Sequence, residues 1–572
     1  GPGGARVPRP SRPAPPMTPP ALFFHPDQVE GAGRDLVGRR SAGSSFLRGW
    51  LAHAGGEEVR AVTDTPAHAK ALSDLLREMG EPRPLRATAL GGSGDFTDAG
   101  AVIFPTPGYQ TAAWRRQRLG PERCSLVGLT HTVSTRRIVE GLLHLAVEPV
   151  EDWDAIVCTS RAVRSVVARL FEAQADYLRA RFRARRVPQP RLPVIPLGIN
   201  AADFAPRPGA RASFRQTRGV PEGDLVVLTM GRLSVVEKAN PLPLVLALEA
   251  LARDLPKPLH LWMAGWASRP EEEALHRDAA RLCPSVAVTI LDGRAADVRR
   301  DAWAAADVFT LPSDSIQETF GLVPVEAMAA GLPVVMPDWD GFRDTVVHGE
   351  TGLLVPTRMA PPGLGAALGR RFAEGTDGYL QHLALVQAHV QLDVPAYAQA
   401  LRALLLDPAL RARMGAAGRA HVARSLDWRA VVPRYLALAE ELAEARRGAE
   451  ATTPLLPGRA PSALESDPFD LYAAYPSAPL SGAAPLALGP RADAAFLRRA
   501  DRLSGRELYG RRLLALDGAE ALLDLVRAAP GLTVAEAASR LGLDGPTVAG
   551  LVLALAKADA LRLPPPPLRP PS

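Results

Sequence analysis

Short apolar runs alternate with polar, glycine-rich turns and with amphipathic stretches of helical length along most of this chain. Leu22-Phe23-Phe24, Ala101–Phe104, Ser125–Thr130 and Ala155–Cys158 read as buried strands, with helical patterns over Ala67–Met79 and after Ser160. The pattern restarts with Val226–Met230, Leu259–Ala264, Val286–Leu291, Val308–Leu311 and Val334–Met336. Strands alternating with helices predict parallel sheets with helices on both faces. The expected fold class is therefore α/β, with two doubly wound domains over residues 21–200 and 201–446. From Val394 to about Ala445 the pattern is helical. Residues 358–392 read as a modest insertion, and the Pro/Ala/Ser-rich residues 447–495 as a linker.

The most informative stretch runs from Ser313 to Pro333. A strand, Val308–Leu311, leads into a polar loop and then a short helix with Pro324 in its first turn and Gly331 just past its end. Glu318 lies in the loop and Glu326 in the helix. Between them, Phe320, Gly321, Leu322 and Val323 would turn free backbone N–H groups outward at the helix N-terminus, a ready anion site. Two carboxylates flanking an anion pocket suit a ligand with hydroxyls and phosphate. Taken alone, the two glutamates would read equally as a solvated loop residue and a carboxylate placed for the helix dipole.

Other strand ends add candidates. Val226–Met230 runs into Gly231-Arg232-Leu233, with Lys238 close behind; two cations after a strand could hold a diphosphate, Arg bidentately and Lys as a point charge. Ser125–Thr130 delivers His131 to a strand edge, where ligands bind in such sheets. A lone histidine is as readily a hydrogen-bonded structural residue. Near the N-terminus, a strand, a Gly-rich turn over residues 31–43 carrying Arg39 and Arg40, and a helix from about Ser45 offer backbone amides to a phosphate, with Gly43 and Ser44 at the helix entrance.

The segment Glu318-Thr-Phe-Gly-Leu-Val-Pro-Val-Glu326 resembles the Glu-x7-Glu signature of retaining GT-B glycosyltransferases of family 4. The resemblance extends through Ala327–Val335 and His348-Gly-Glu-Thr-Gly-Leu-Leu-Val-Pro356, and covers about residues 21–446. It implies two Rossmann-like domains facing a cleft, an N-terminal acceptor domain and a C-terminal donor domain, with a terminal helix that crosses back to the first. It implies a nucleotide-diphosphate sugar as donor and a hydroxyl acceptor on a protein or peptide, glycan or lipid. Arg232 and Lys238 would hold the diphosphate, Glu318 the sugar hydroxyls and Glu326 the ribose. His131 would touch donor sugar or acceptor, and the turn at Arg294 would lie along the base. Front-face attack needs no protein nucleophile, and no cofactor or metal is expected. At Asp338-Trp-Asp-Gly-Phe-Arg-Asp344 the chain departs from the family: Asp340 stands where the first of two glycines is usual, and Asp344 where glutamate is.

Composition narrows the setting. The 572 residues are 47% hydrophobic and 22% charged, enough for substantial cores, and the net charge of +6 is diffuse. Cys124, Cys158 and Cys283 lie far apart, without metal spacing or a disulfide framework, so a reducing, cytoplasmic setting is expected. No run is long enough for a transmembrane helix. Residues 1–20 are expected to be disordered or tag-derived, without a secretory apolar segment. Residues 496–563 resemble a winged-helix module: Thr533–Gly542 and Pro546–Ala560 as helix-turn-helix, Leu561-Arg-Leu563 as a wing, and a Pro-rich tail at 564–572. Its second helix carries only Lys557 as a cation, so protein or peptide docking is expected and nucleic acid is not. Three alternatives remain open: a glycan phosphorylase on the same fold, which would need a cofactor lysine site for which no distinctive motif stands out; a non-catalytic nucleotide-sugar sensor acting through that module; and an enzyme at a membrane surface using the arginines near residues 34–40 and 179–186.

Overall fold

β-Branched and aliphatic runs become strands here because both faces of each central strand are covered. The computed structural model describes residues 18–29, 38–91, 94–453, 457–504, 510 and 516–566. The Gly-rich turn at 31–37 lies outside these, as do the side chains of Arg39 and Arg40. Residues 1–457 and 458–572 form two units.

The first unit holds two six-stranded sheets. The N-terminal sheet comprises β1 (Ala21–Phe24), β2 (Val59–Thr63), β3 (Leu85–Ala89), β4 (Ala101–Phe104), β5 (Ser125–Leu129) and β6 (Ala155–Val157), in the order β3-β2-β1-β4-β5-β6. The second comprises β7 (Leu225–Met230), β8 (Leu259–Gly265), β9 (Ala287–Asp292), β10 (Val308–Thr310), β11 (Val334–Pro337) and β12 (Gly352–Val355), in the order β12-β11-β10-β7-β8-β9. All neighbours are parallel, and each sheet follows the same winding from its own first strand. The order reverses at β1/β4 and at β7/β10, and ligands bind beyond the strand ends at such points. The expected doubly wound α/β class is the observed one.

Each sheet is anchored at its N-terminal edge by a buried ion pair. Asp154, just before β6, takes Arg116 bidentately at 2.5 and 2.8 Å and accepts the amides of Leu126 and Glu151; both side chains are fully buried. Asp307, just before β10, takes Arg215 at 2.8 Å and the amide of Val226 at 2.8 Å. Each carboxylate there is fully engaged, and Arg116 leaves only its Nε without a partner among the described residues, close to the condition under which burying charge is tolerable.

The helix Trp428–Arg446 lies against the helix Gly38–His53. Trp428 packs so closely on Gly49 and Gly198 that a Cβ at either would come within 2.5 Å of its side chain. Phe46 meets Trp428 and Tyr435 edge-on at 5.2 and 5.6 Å. Beyond the helix end, Arg446 reaches the carbonyl of Gly100 and the hydroxyl of Ser125. The C-terminal sheet's last helix is thus fastened to the N-terminal sheet.

Two elements differ from expectation. The helix expected from Ser45 begins at Gly38, so Gly43 and Ser44 lie inside it and not at its entrance. Gly43 is required there by packing: a Cβ would sit 2.0 Å from the carbonyl of Gln28. The stretch read as linker also holds structure. In the second unit, β15 (Ala487–Leu488) pairs antiparallel with β16 (Leu561–Arg562), and Leu486 is buried among Leu522, Val534, Leu551 and Leu561. A Pro-rich stretch can carry a strand when apolar residues punctuate it. The helices Ala519–Ala528, Val534–Leu541 and Gly545–Lys557 complete that core, with Thr533 and Asp544 as N-caps.

Candidate active site

The C-terminal ends of β7, β8 and β9 are brought together by glycine. A Cβ on Gly265 would lie 2.0 Å from the Gly231 carbonyl, and one on Gly293 would lie 2.8 Å from the Gly265 Cα. Gly231 itself has φ 149°, turning the chain so that Lys238 folds back over it. Lys238 Nζ then donates to Glu318 Oε2 at 2.7 Å. The two residues are 80 positions apart, one after β7 and one after β10, on either side of the switch point.

Glu318 heads the entry to the helix Leu322–Ala330. Gly321 is its N-cap at φ 83°, with a Phe342 ring atom 2.2 Å from where its Cβ would be, and Gly331 closes it at φ 87°. Leu322 and Val323 therefore present N–H groups without intrahelical acceptors. Phe320 is buried at 1% exposure and holds this turn in place.

Burial pushes the Glu318 carboxyl up, but the Lys238 charge and hydrogen bond, with the amides of Thr319 and Phe320, outweigh it and hold the group below the usual range. Glu326, one helical turn on, has no such bond. Burial raises it to about 7, only partly offset by Lys238. Two carboxyls a few residues apart thus have opposite shifts, a mark of functional sites as well as of ion-pair networks. A third, Asp314, is pushed up to about 6 by burial, against the Gln387 amide donating at 2.7 Å.

The N-terminal sheet contributes from across the switch point. Thr319 Oγ1 donates to the His131 carbonyl at 3.0 Å, so His131 lies beside Glu318 although it belongs to the other sheet. Gly43 and His131 line one apolar cavity with Phe24, Phe46 and Leu197. Ser160 Oγ, at the N-cap of the helix Arg161–Phe182, lies 3.4 Å from Asp340 Oδ1, and Asp344 accepts the amide and Nε of Arg161 at 2.6 and 2.5 Å. Arg232 reaches Glu237 at 3.4 Å on the same loop as Lys238.

The structure thus brings Glu318, Lys238, His131, Arg232, Glu326 and the 320–323 turn to one place. Arg294 is exposed and doubly bonded to Asp292 at 2.9 and 3.1 Å, on the strand-end turn where it was expected. Ser44 lies in the helix beside Gly43, more than one turn past its start at Gly38. Sequence reasoning missed Tyr379. The insertion forms a hairpin of β13 (Thr357–Met359) and β14 (Val390–Leu392) around two helices, and from it Tyr379 OH contacts Ser134 Oγ at 2.9 Å and Gln317 Oε1 at 3.3 Å. No local motif marks a tyrosine for that task. The three cysteines are buried and free, with the Cys124 and Cys158 thiols pushed up to about 12 by burial, which leaves them inert.

Residues 224–373 match the family described as Glycosyl transferases group 1. That span contains Arg232, Lys238, Glu318 and Glu326. D-inositol 3-phosphate glycosyltransferase of Rhodococcus erythropolis is 32% identical over 234 residues, 40% of this chain and 51% of the relative. GDP-mannose-dependent alpha-(1-6)-phosphatidylinositol monomannoside mannosyltransferase of Mycolicibacterium smegmatis is 31% identical over 277 residues, 48% and 62% of the two chains. The chain spans about half the length of the curated relatives it matches. Among solved structures, sucrose-phosphate synthase from Thermosynechococcus elongatus matches at 21% identity and a TM-score of 0.45, over 75% of this chain and all of the other. Two parallel six-stranded sheets in one unit are the two doubly wound domains that the strand and helix alternation predicts.

Proposed function

We propose that this chain is a retaining glycosyltransferase that moves a sugar from a nucleoside diphosphate sugar to a hydroxyl acceptor. The observation that carries the reading is the Lys238–Glu318 pair, assembled at 2.7 Å from two strand ends beside an open helix N-terminus. The leaving diphosphate gathers negative charge as the sugar–oxygen bond breaks. Arg232, Lys238 and the N–H groups of Leu322 and Val323 are the donors set to meet it, and preorganised charge of this kind carries much of catalysis. Glu318, kept ionised, accepts hydrogen bonds from the sugar hydroxyls, and Glu326 accepts them from the ribose. The acceptor oxygen attacks on the face the diphosphate leaves, and its proton passes to the departing phosphate oxygen. No protein nucleophile enters, and no resident cofactor is needed for these steps.

In this reading His131 meets the donor sugar or the acceptor, from beside the apolar cavity it shares with Gly43. The relatives' names, an inositol phosphate and a phosphatidylinositol mannoside among them, favour a polyol or glycan hydroxyl over the peptide that the C-terminal unit suggested. Among the described residues no helix is long and apolar enough to cross a membrane.

The test is a panel of nucleotide sugars incubated with the protein and candidate acceptors, with nucleoside diphosphate release read by mass spectrometry. Release from one donor, abolished by Glu318→Ala and by Lys238→Ala, is the expected result. Tight donor binding without release under any acceptor would favour a sensor. Absence of both binding and release would overturn the assignment.

A further inference from the structure

The N-terminal sheet gathers a second set of polar side chains, apart from the donor residues. β1 and β2 run side by side in parallel, with Phe24 opposite Thr63. His25 follows the end of β1 and Asp64 the end of β2, so the register sets them next to each other. Both lie at the C-terminal edge, where sheets of this kind bind ligands. Thr65 then caps the helix Pro66–Glu78, and the first turn of that helix returns His68 to the same place. The rings of His25 and His68 meet edge to face, with centroids 4.5 Å apart.

One ligand atom from each of His25, Asp64 and His68 lies within 4.8 Å of the other two. A buried imidazole nitrogen in a structural role has a hydrogen-bond partner. His68 Nδ1 has none among the described residues. The cluster is not sealed: both histidines are half-buried and Asp64 is exposed, which leaves an ion a path in. Asp27 flanks the set. Its amide donates to His25 Nδ1 at 3.2 Å, and its carboxylate lies 3.6 Å from the same nitrogen. A carboxylate beside a ligating imidazole is the common outer partner that orients the ring.

Two imidazoles and one carboxylate are the donor set of Zn²⁺ and its first-row neighbours, which take such ligands at about 2 Å. Mg²⁺ and Ca²⁺ call for oxygen ligands instead. We propose that His25, Asp64 and His68 form a binding site for a divalent transition ion of the Zn²⁺ class, with three protein ligands and a fourth position open to water. The ion clips the ends of β1 and β2 to the start of the helix Pro66–Glu78. Gln28 and Val29, in the turn that His25 opens, line the apolar cavity shared with His131, so the clip fixes one wall of that cavity. Arg232, Lys238, Glu318 and Glu326 take no part. The site is therefore independent of the donor reading and of the transfer step.

The test uses the full chain without a histidine tag, freed of metal by dialysis against a chelator. Calorimetric titration with ZnCl₂ should show one saturable site per chain. His25→Asn, Asp64→Asn and His68→Gln should each weaken it by more than roughly tenfold, since losing an outer partner alone costs about that much. Zn²⁺ should raise the melting temperature of the parent protein by mass action and leave that of Asp64→Asn unchanged. Asp64 is exposed and asparagine has its shape, so this variant keeps the fold.

Three outcomes overturn the proposal. The parent protein could show no saturable Zn²⁺ binding. All three variants could bind as tightly as the parent, which would place the ion on other side chains. Mg²⁺ or Ca²⁺ could bind as tightly as Zn²⁺, which would contradict a site built on two imidazoles.

Discussion

The two edges of the sheets bury charge in opposite ways. At the N-terminal edges, Arg116–Asp154 and Arg215–Asp307 are nearly closed systems: each guanidinium meets its carboxylate and nearby carbonyls, each carboxylate also takes a backbone amide, and Arg116 Nε alone is left over among the described residues. At the C-terminal edge of the second sheet, Glu318 has Lys238, while among the described residues Glu326 has no hydrogen-bonded cation and Asp340 has an oxygen with no partner. The Arg116–Asp154 side chains have no exposure and the Glu318 side chain keeps 14%, and the hydrogen bonds at the site are less complete. A closed pair holds strands in register and offers nothing to a ligand. An open set carries unmet hydrogen-bonding capacity that a ligand with hydroxyls and phosphate can fill.

That contrast can be broken at several points. The largest effect is expected at the closed pair. Asp154→Ala strands a buried guanidinium and should lower unfolding free energy by about 3–5 kcal/mol in urea titrations; a loss below about 1 kcal/mol would remove the distinction between the edges. Lys238→Ala should cost about 10²–10³ in turnover, roughly 3–4 kcal/mol of transition-state stabilisation, with the fold intact by circular dichroism. A variant that lost its fold would show Lys238 to be structural.

Glu326 sharpens the comparison through pH. Its carboxyl rises from 4.5 to about 7 on folding, so the native state holds this proton more tightly than the unfolded chain. The stability it contributes is full below pH 4.5 and is lost as pH rises through about 7. The difference corresponds to at most roughly 3 kcal/mol. Glu326→Gln lacks this titration, so it should gain on the parent protein steadily from pH 5 to pH 8 in denaturation midpoints. Parallel pH profiles would show that the carboxyl is not raised.

Smaller effects belong to contacts between the sheets and at the surface. Tyr379→Phe removes the hydroxyl shared with Ser134 and Gln317 and should cost about 1 kcal/mol in stability. Arg48→Ala breaks an exposed pair with Asp203, 2.7 Å apart, and should cost under about 1 kcal/mol, less still at high salt. An Arg48 effect as large as that of Asp154→Ala would mean that burial and satisfaction do not govern these pairs.

Much of this was legible in the chain alone. Strand and helix alternation is local and periodic, and so is the stop and start of the helix Leu322–Ala330, where Gly331 takes the left-handed conformation that ends it. The spacing of Glu318 and Glu326 is likewise contained in nine consecutive residues. Gly43 was misplaced because a glycine rich in neighbours like itself reads as a turn, whereas here it lets a helix touch the Gln28 carbonyl. The strand Ala487–Leu488, within the residues 447–495 read as a linker, was missed because a strand of two residues gives no periodicity, and only the partner strand reveals it. Tyr379 could not be assigned, since its two partners lie 245 and 62 residues away.

By itself, then, the sequence determined the class of fold, the strand-end loops and the residue types offered to a ligand, because these depend on neighbours along the chain. The tertiary structure alone decided which carboxyl is held below the usual range and which is pushed above it. That depends on the distance to Lys238, on burial and on which oxygens find donors, quantities that exist only once residues 80 and more positions apart are packed together.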